Sequence, residues 1–127
     1  MHIIGTLNRS IYSCVTEDIC TDEVIITDKQ IEHIKERHSG DYERFHSYFA
    51  DIIANPDYIL EANKPNTAFV LKEIVVENEK VQCILRLKTS SDPDDYKNSV
   101  ITFLRIDQKK WAKYLRNKKI LYNRMQK

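Results

Sequence analysis

TAFVLKEIVVENEKVQCILRLKT, residues 67–89, decides how this chain folds. From Thr67 to Val76 the side chains alternate. Ala68, Val70, Ile74 and Val76 share one face with Lys72, and Phe69, Leu71 and Val75 share the other with Glu73. A period of two with β-branched and aromatic residues predicts a strand. Val81 to Thr89 repeats the pattern, and Asn78 lies in the short polar connection, so the two runs predict a hairpin.

Working outward, Tyr58–Glu61 predicts a strand before this hairpin and Ser99–Ile106 one after it, reached through the polar loop SSDPDDY (Ser90–Tyr96). Upstream, Tyr42, Phe45, Phe49, Ile52 and Ile53 recur at spacings of three and four, which predicts a helix over Tyr42–Ala54 stopped by Asn55-Pro56. An earlier helix, KQIEHIKERH, starts after Thr27-Asp28, both good N-cap residues, and ends by Ser39-Gly40. HIIGTL (2–7) and SIYSCV (10–15) predict a small N-terminal hairpin turned at Asn8-Arg9, and Val24–Ile26 a third short apolar run. Trp111–Arg116 predicts a short C-terminal helix, and ILYNR (Ile120–Arg124) a last apolar-then-basic piece. The expected class is α+β, in one domain over residues 1–127. Two N-terminal helices pack on one face of an antiparallel β-sheet meander, and the other face is partly open.

Composition narrows the function classes. The only glycines are Gly5 and Gly40, so there is no glycine-rich phosphate loop and no P-loop or Rossmann fingerprint. Cys14, Cys20 and Cys83 form no CxxC pair and read as reduced small hydrophobes rather than a disulfide frame or zinc site. No apolar run is long enough to cross a membrane, and MHIIGTLNRS lacks the basic and apolar regions of a signal peptide, so a cytoplasmic protein without membrane contact is expected. The net charge of +1 hides an asymmetry: residues 107–127 hold eight Lys or Arg against Asp107 alone, a segment of +7. That end either faces an anionic partner such as nucleic acid or is a solvated helix end with a basic tail.

On the first long helix, Ile31 and Ile34 define the apolar stripe. His38 falls on it, while His33 and Arg37 stand side by side on its flank. His38 reads as a core histidine at a helix end or a site residue, and His33 as a surface histidine or a site residue. HIKERH lacks the spacing of HExxH and no third ligand is evident, so neither metal nor cofactor is expected. Lys72 interrupts an apolar strand. It either snorkels to an edge or holds a phosphate. In the last strand, alternation puts Asn98, Val100, Thr102 and Leu104 on one face and Ser99, Ile101 and Phe103 on the other, so Ser99 acts either from the opposite face or from a bent strand start. With no carboxylate pair and no GxSxG elbow, the remaining His, Arg, Lys, Ser, Thr and Asn suit binding and cleavage of an RNA phosphodiester.

The order HIKERHSGDY, NPDYIL, a strand carrying Lys72, KNSVIT and ILYNR resembles the phage-associated barnase–EndoU–colicin–RelE nuclease-like domains, over roughly Val24–Arg124. The resemblance implies a metal-independent endoribonuclease of toxin type, with RNA (tRNA among the candidates) as substrate and an immunity or antitoxin protein as partner. It points to His33, Arg37, His38, Lys72, Ser99 and Thr102 as catalytic, and to Asn98, Tyr122 and Arg124 as substrate-binding. A non-catalytic RNA-binding or phage structural protein is the alternative it leaves.

Overall fold

The computed structural model describes residues 1–126. Lys127, one of the eight cations counted in the basic end, lies outside the described residues. The expected hairpin forms from β4 (Thr67–Ile74) and β5 (Glu79–Arg86), joined by a 3-10 turn over Val75–Glu77. Val75 and Val76 leave the strand for this turn and are exposed, and Asn78 closes it with a φ of 53°. Asparagine tolerates that left-handed conformation better than most residues. β3 (Tyr58–Glu61) and β6 (Asn98–Ile106) flank the hairpin antiparallel, completing the meander.

Three further strands widen it. β7 (Ile120–Asn123) pairs antiparallel with β3, β2 (Glu23–Ile26) runs parallel to β6, and β1 (His2–Thr6) pairs antiparallel with β2. The seven strands lie in the order β1-β2-β6-β5-β4-β3-β7, so the sheet is open and antiparallel except at β2–β6.

Residues 10–15 correct the sequence reading. They are not the second strand of a hairpin: Arg9–Tyr12 is a helical turn, α1. Asn8 caps it, accepting from the backbone N–H and hydroxyl of Ser10. Tyr12 then points into the core, where its hydroxyl donates to the carbonyl of Ile53 at 2.7 Å. β1 finds its partner in β2, twenty residues on. Gly5 allows this strand to lie close to the helices, because a Cβ there would come within 3.2 Å of the Ala50 Cα.

The first long helix, α2 (Asp28–Arg37), starts where expected, with the Thr27 hydroxyl accepting from the Gln30 N–H. The second is not continuous. α3 (Asp41–Phe45) and α4 (Phe49–Ala54) are separated by a 3-10 turn over His46–Tyr48. The tighter turn accompanies two tertiary demands: the Tyr48 hydroxyl donates to Glu77, and Phe45 and Phe49 both pack edge-on against Phe103. α1 to α4 cover one sheet face, burying Ile34, Phe45, Phe49, Ile52 and Ile53 against Val70, Cys83, Leu85, Val100 and Phe103. Each such side chain contributes about 1.5–3 kcal/mol of burial.

The alternate residues point the other way. There α5 (Gln108–Asn117), capped by the Asp107 carboxylate, lays Trp111, Tyr114 and Leu115 on Leu60, Phe69, Leu71 and Ile106. This helix covers only part of the second face. The rest is open. No helix among the described residues is long and apolar enough to cross a membrane.

Candidate functional site

Strand β6 does not alternate simply. Leu85 of β5 pairs with Val100, and Ile84 pairs with Thr102, so Ile101 is an extra residue in the ladder. This β-bulge shifts the phase of every later side chain. Asn98 and Val100 face the helices with Phe103. Ser99 and Thr102 face the open side, opposite Arg86 and Ile84. The expectation that Asn98 and Thr102 share a face, with Ser99 opposed, is overturned by this one inserted position.

A groove with a volume of about 410 Å³ lies on this open face. Its floor is Phe69 and Ile84, its walls are Ala62, Ile101 and Tyr96, and its rim carries Lys64, Arg86 and Lys118 with Asn63 and Thr67. Among the described residues, no carboxylate lines it. Arg86 is held from behind. Its guanidinium makes a two-pronged pair with Asp92, at 2.9 and 3.2 Å, and also donates to the Leu87 carbonyl. Asp92 in turn accepts from the backbone N–H and hydroxyl of Thr89. The Thr89 N–H, and after it the Arg86 guanidinium, holds the Asp92 carboxyl below the usual carboxylate range. Arg86 also lies 5.3 Å from the Tyr96 ring centroid, and the Lys118 ammonium 4.8 Å from that of Phe69. The result is a cationic rim over an aromatic and aliphatic floor, a surface that attracts an anion and gives an apolar ring somewhere to rest.

The other residues singled out in the sequence stand elsewhere. His33 and Arg37 are exposed on α2, on the helix-covered side, and His38 is the half-buried C-cap of that helix. None of the four histidines lines the groove. Lys72 is buried on β4, where its ammonium donates to the Asn55 carbonyl at 2.7 Å and lies 3.7 Å from Asp51 and 3.9 Å from Asp57. Lys72 pairs with Val81 and Thr102 with Ile84. They are thus two strands (~4.8 Å each) and three residues (~3.4 Å each) apart, roughly 14 Å between Cα atoms, with side chains on opposite faces. Arg124 approaches Asp57 at 3.5 Å and shares with Lys72, Lys80 and Trp111 a second, smaller hollow whose lining includes Asp57 and Glu73. Tyr122 packs against the helix-side core. Asn98 is fully buried, accepting from the Lys88 N–H and donating to the carbonyls of Thr21 and Glu23.

The structure therefore gathers Ser99 and Thr102 on one face. It adds Arg86, Lys118, Lys64 and Tyr96, which the sequence reading passed over. Arg86 carried a signal of the same kind as Lys72, a cation within an apolar alternation. Lys118 belongs to the basic segment already set apart by its charge. The cysteines are free, and burial pushes the Cys83 thiol up to about 12, so it is protonated at neutral pH. Among the described residues, no three His, Cys, Asp or Glu cluster as a metal-binding group.

A family model described as phage-Barnase-EndoU-ColicinE5/D-RelE like nuclease2 matches residues 4–123. No curated protein and no solved structure matches the chain.

Proposed function

The chain belongs to the phage-Barnase-EndoU-ColicinE5/D-RelE like nuclease2 family, and we propose that it is an endoribonuclease of toxin type whose site is the open-face groove. One observation carries this reading: among the described residues, three cations and no carboxylate line an apolar groove. In RNA the neighbouring 2′-hydroxyl is a built-in nucleophile. Its oxygen attacks phosphorus, the 2′-O–P bond forms and the P–O5′ bond breaks. The 2′-hydroxyl proton passes to solvent water and the departing 5′-oxygen takes up a proton from the Lys64 ammonium, giving a 2′,3′-cyclic phosphate and a 5′-hydroxyl. Charge builds on the non-bridging oxygens, where Arg86 and Lys118 stabilise it. Ser99 and Thr102 orient the phosphate by hydrogen bonds, and Lys64 stands at the rim as a proton donor for the leaving oxygen. None of these roles needs a metal-activated water. The family's description, which joins phage and colicin nucleases, supports the toxin reading, and a toxin that cuts RNA calls for an immunity protein as partner in the cell that makes it.

The test is incubation of the purified protein with a defined RNA in EDTA, with chemical identification of the new ends. Cyclic phosphate and 5′-hydroxyl ends support the proposal. Intact RNA, or 5′-phosphate ends that require a divalent cation, would overturn it. A second reading, an RNA-binding protein that keeps the fold without catalysis, is favoured by the lack of any imidazole in the groove. Salt-sensitive binding without cleavage is its signature.

A further inference from the structure

We propose that the groove receives one unstacked nucleobase, held against Tyr96, so that the substrate is RNA unpaired at that nucleotide. This deepens the ribonuclease reading above and rests on it. A phosphate alone would be served by the cationic rim. The apolar interior formed by Phe69, Ile84 and Ile101 has no use for a phosphate or a ribose, but fits the face and edge of a base. Ile101 is present on this wall because of the bulge, and 41% of its surface is open to the groove mouth or solvent. Tyr96 is built as a platform. The Arg86 guanidinium sits 5.3 Å from the ring centroid, Asp92 fixes that guanidinium, and the Tyr96 N–H bonds to the Pro93 carbonyl at 2.9 Å. With that support beside it, 36% of the tyrosine remains exposed. Asn63 and Thr67 at the rim supply donors and acceptors for a base edge.

A base inside a duplex is stacked on both sides and cannot enter such a hollow without being flipped out, at a cost of a few kcal/mol. A base in a loop or single strand is already free, and stacking on an aromatic ring is the usual way protein surfaces hold it.

The experiment measures binding of a 2′-O-methyl RNA oligonucleotide, which lacks the 2′-hydroxyl and cannot be cut. It is presented single-stranded and as a duplex at matched salt, to the parent protein and to Tyr96→Ala and Tyr96→Phe. The parent should prefer the single strand. Tyr96→Ala should weaken single-strand binding by roughly 5- to 150-fold, the size of one base–aromatic stack, while Tyr96→Phe keeps it. An abasic site in the strand should weaken binding to the parent and leave binding to Tyr96→Ala unchanged. Equal affinity for single strand and duplex, or undiminished binding by Tyr96→Ala, overturns the proposal. Because the probe is uncleavable, these outcomes are independent of catalysis. A protein that binds this way yet leaves ordinary RNA intact would sink the ribonuclease reading alone.

Discussion

Ser99 and Thr102 face the same side of the sheet although they are three positions apart, because Ile101 enters the β5–β6 ladder as an unpaired residue between Thr102 and Val100. In an unbulged strand an odd spacing places two side chains on opposite faces. The inserted residue puts both on the open face, where they pair with Arg86 and Ile84, two residues of the groove lining.

If the two hydroxyls position one phosphate, their losses should not add. Ser99→Ala and Thr102→Val should each lower kcat/KM about tenfold, the value of one hydrogen bond to a charged group. The double variant should lose less than the product of the two. Unchanged melting temperatures would assign the loss to the site rather than the fold. Full activity in both single variants would remove the hydroxyls from the mechanism.

Asp92 should act through Arg86. Asp92→Asn frees the guanidinium and loosens Tyr96, so cleavage should fall about tenfold or more, as for other misplaced charge-stabilising groups. The same variant tests a pH dependence. The native Asp92 carboxyl is held below its usual value by the Thr89 N–H and Arg86. Its stabilising effect is therefore complete above the ordinary carboxylate value of about 3.9, and is lost as pH falls through the depressed native value. The gap in thermal stability between parent and Asp92→Asn should be level near neutrality and close in acid. A gap that widens in acid would contradict the assigned cause.

Asn98 should prove structural. Its amide ties β6 to the Thr21 and Glu23 carbonyls and to the Lys88 N–H. Asn98→Ala strands these buried groups, and a loss of about 2–4 kcal/mol in denaturant unfolding follows. A loss below about 0.5 kcal/mol would show that water replaces the amide without cost.

Much of the fold was legible in the sequence because its signals are local. The β4–β5 hairpin, β3, the Thr27 cap of α2 and the stop at Asn55-Pro56 all rest on periodicity or on one residue's chemistry. α1 was missed because SIYSCV alternates like a strand. Only the Asn8 cap and the buried Tyr12 hydroxyl, which needs the Ile53 carbonyl, make it helical. The break at His46–Tyr48 answers to distant partners, Glu77 and Phe103. The bulge at Ile101 is a property of pairing with β5, so β6 alone does not reveal it. The same holds for the site. Lys72 and Arg86 are equally odd within their strands, and only the structure separates a cation held on the Asn55 carbonyl, on the helix-covered side, from one held by Asp92 in the lining of the open groove.

Lys72 follows that distinction. Lys72→Met leaves the Asn55 carbonyl without its donor and Asp57 with Arg124 as its remaining cation, and should cost about 1–3 kcal/mol of stability. Turnover by the folded fraction should persist. A stable Lys72→Met protein with lost turnover would return this lysine to the reaction.

The most direct measurement compares the two faces of the sheet. Parent, Lys118→Ala and the double variant His33→Ala/His38→Ala are assayed for cleavage of one single-stranded RNA in EDTA, each shown to be folded. Removing one cation that stabilises developing charge should slow Lys118→Ala by about tenfold or more, while the histidine variant keeps the parent's rate. An unaffected Lys118→Ala beside an inactive histidine variant would place the chemistry on α2 and contradict the open-face site.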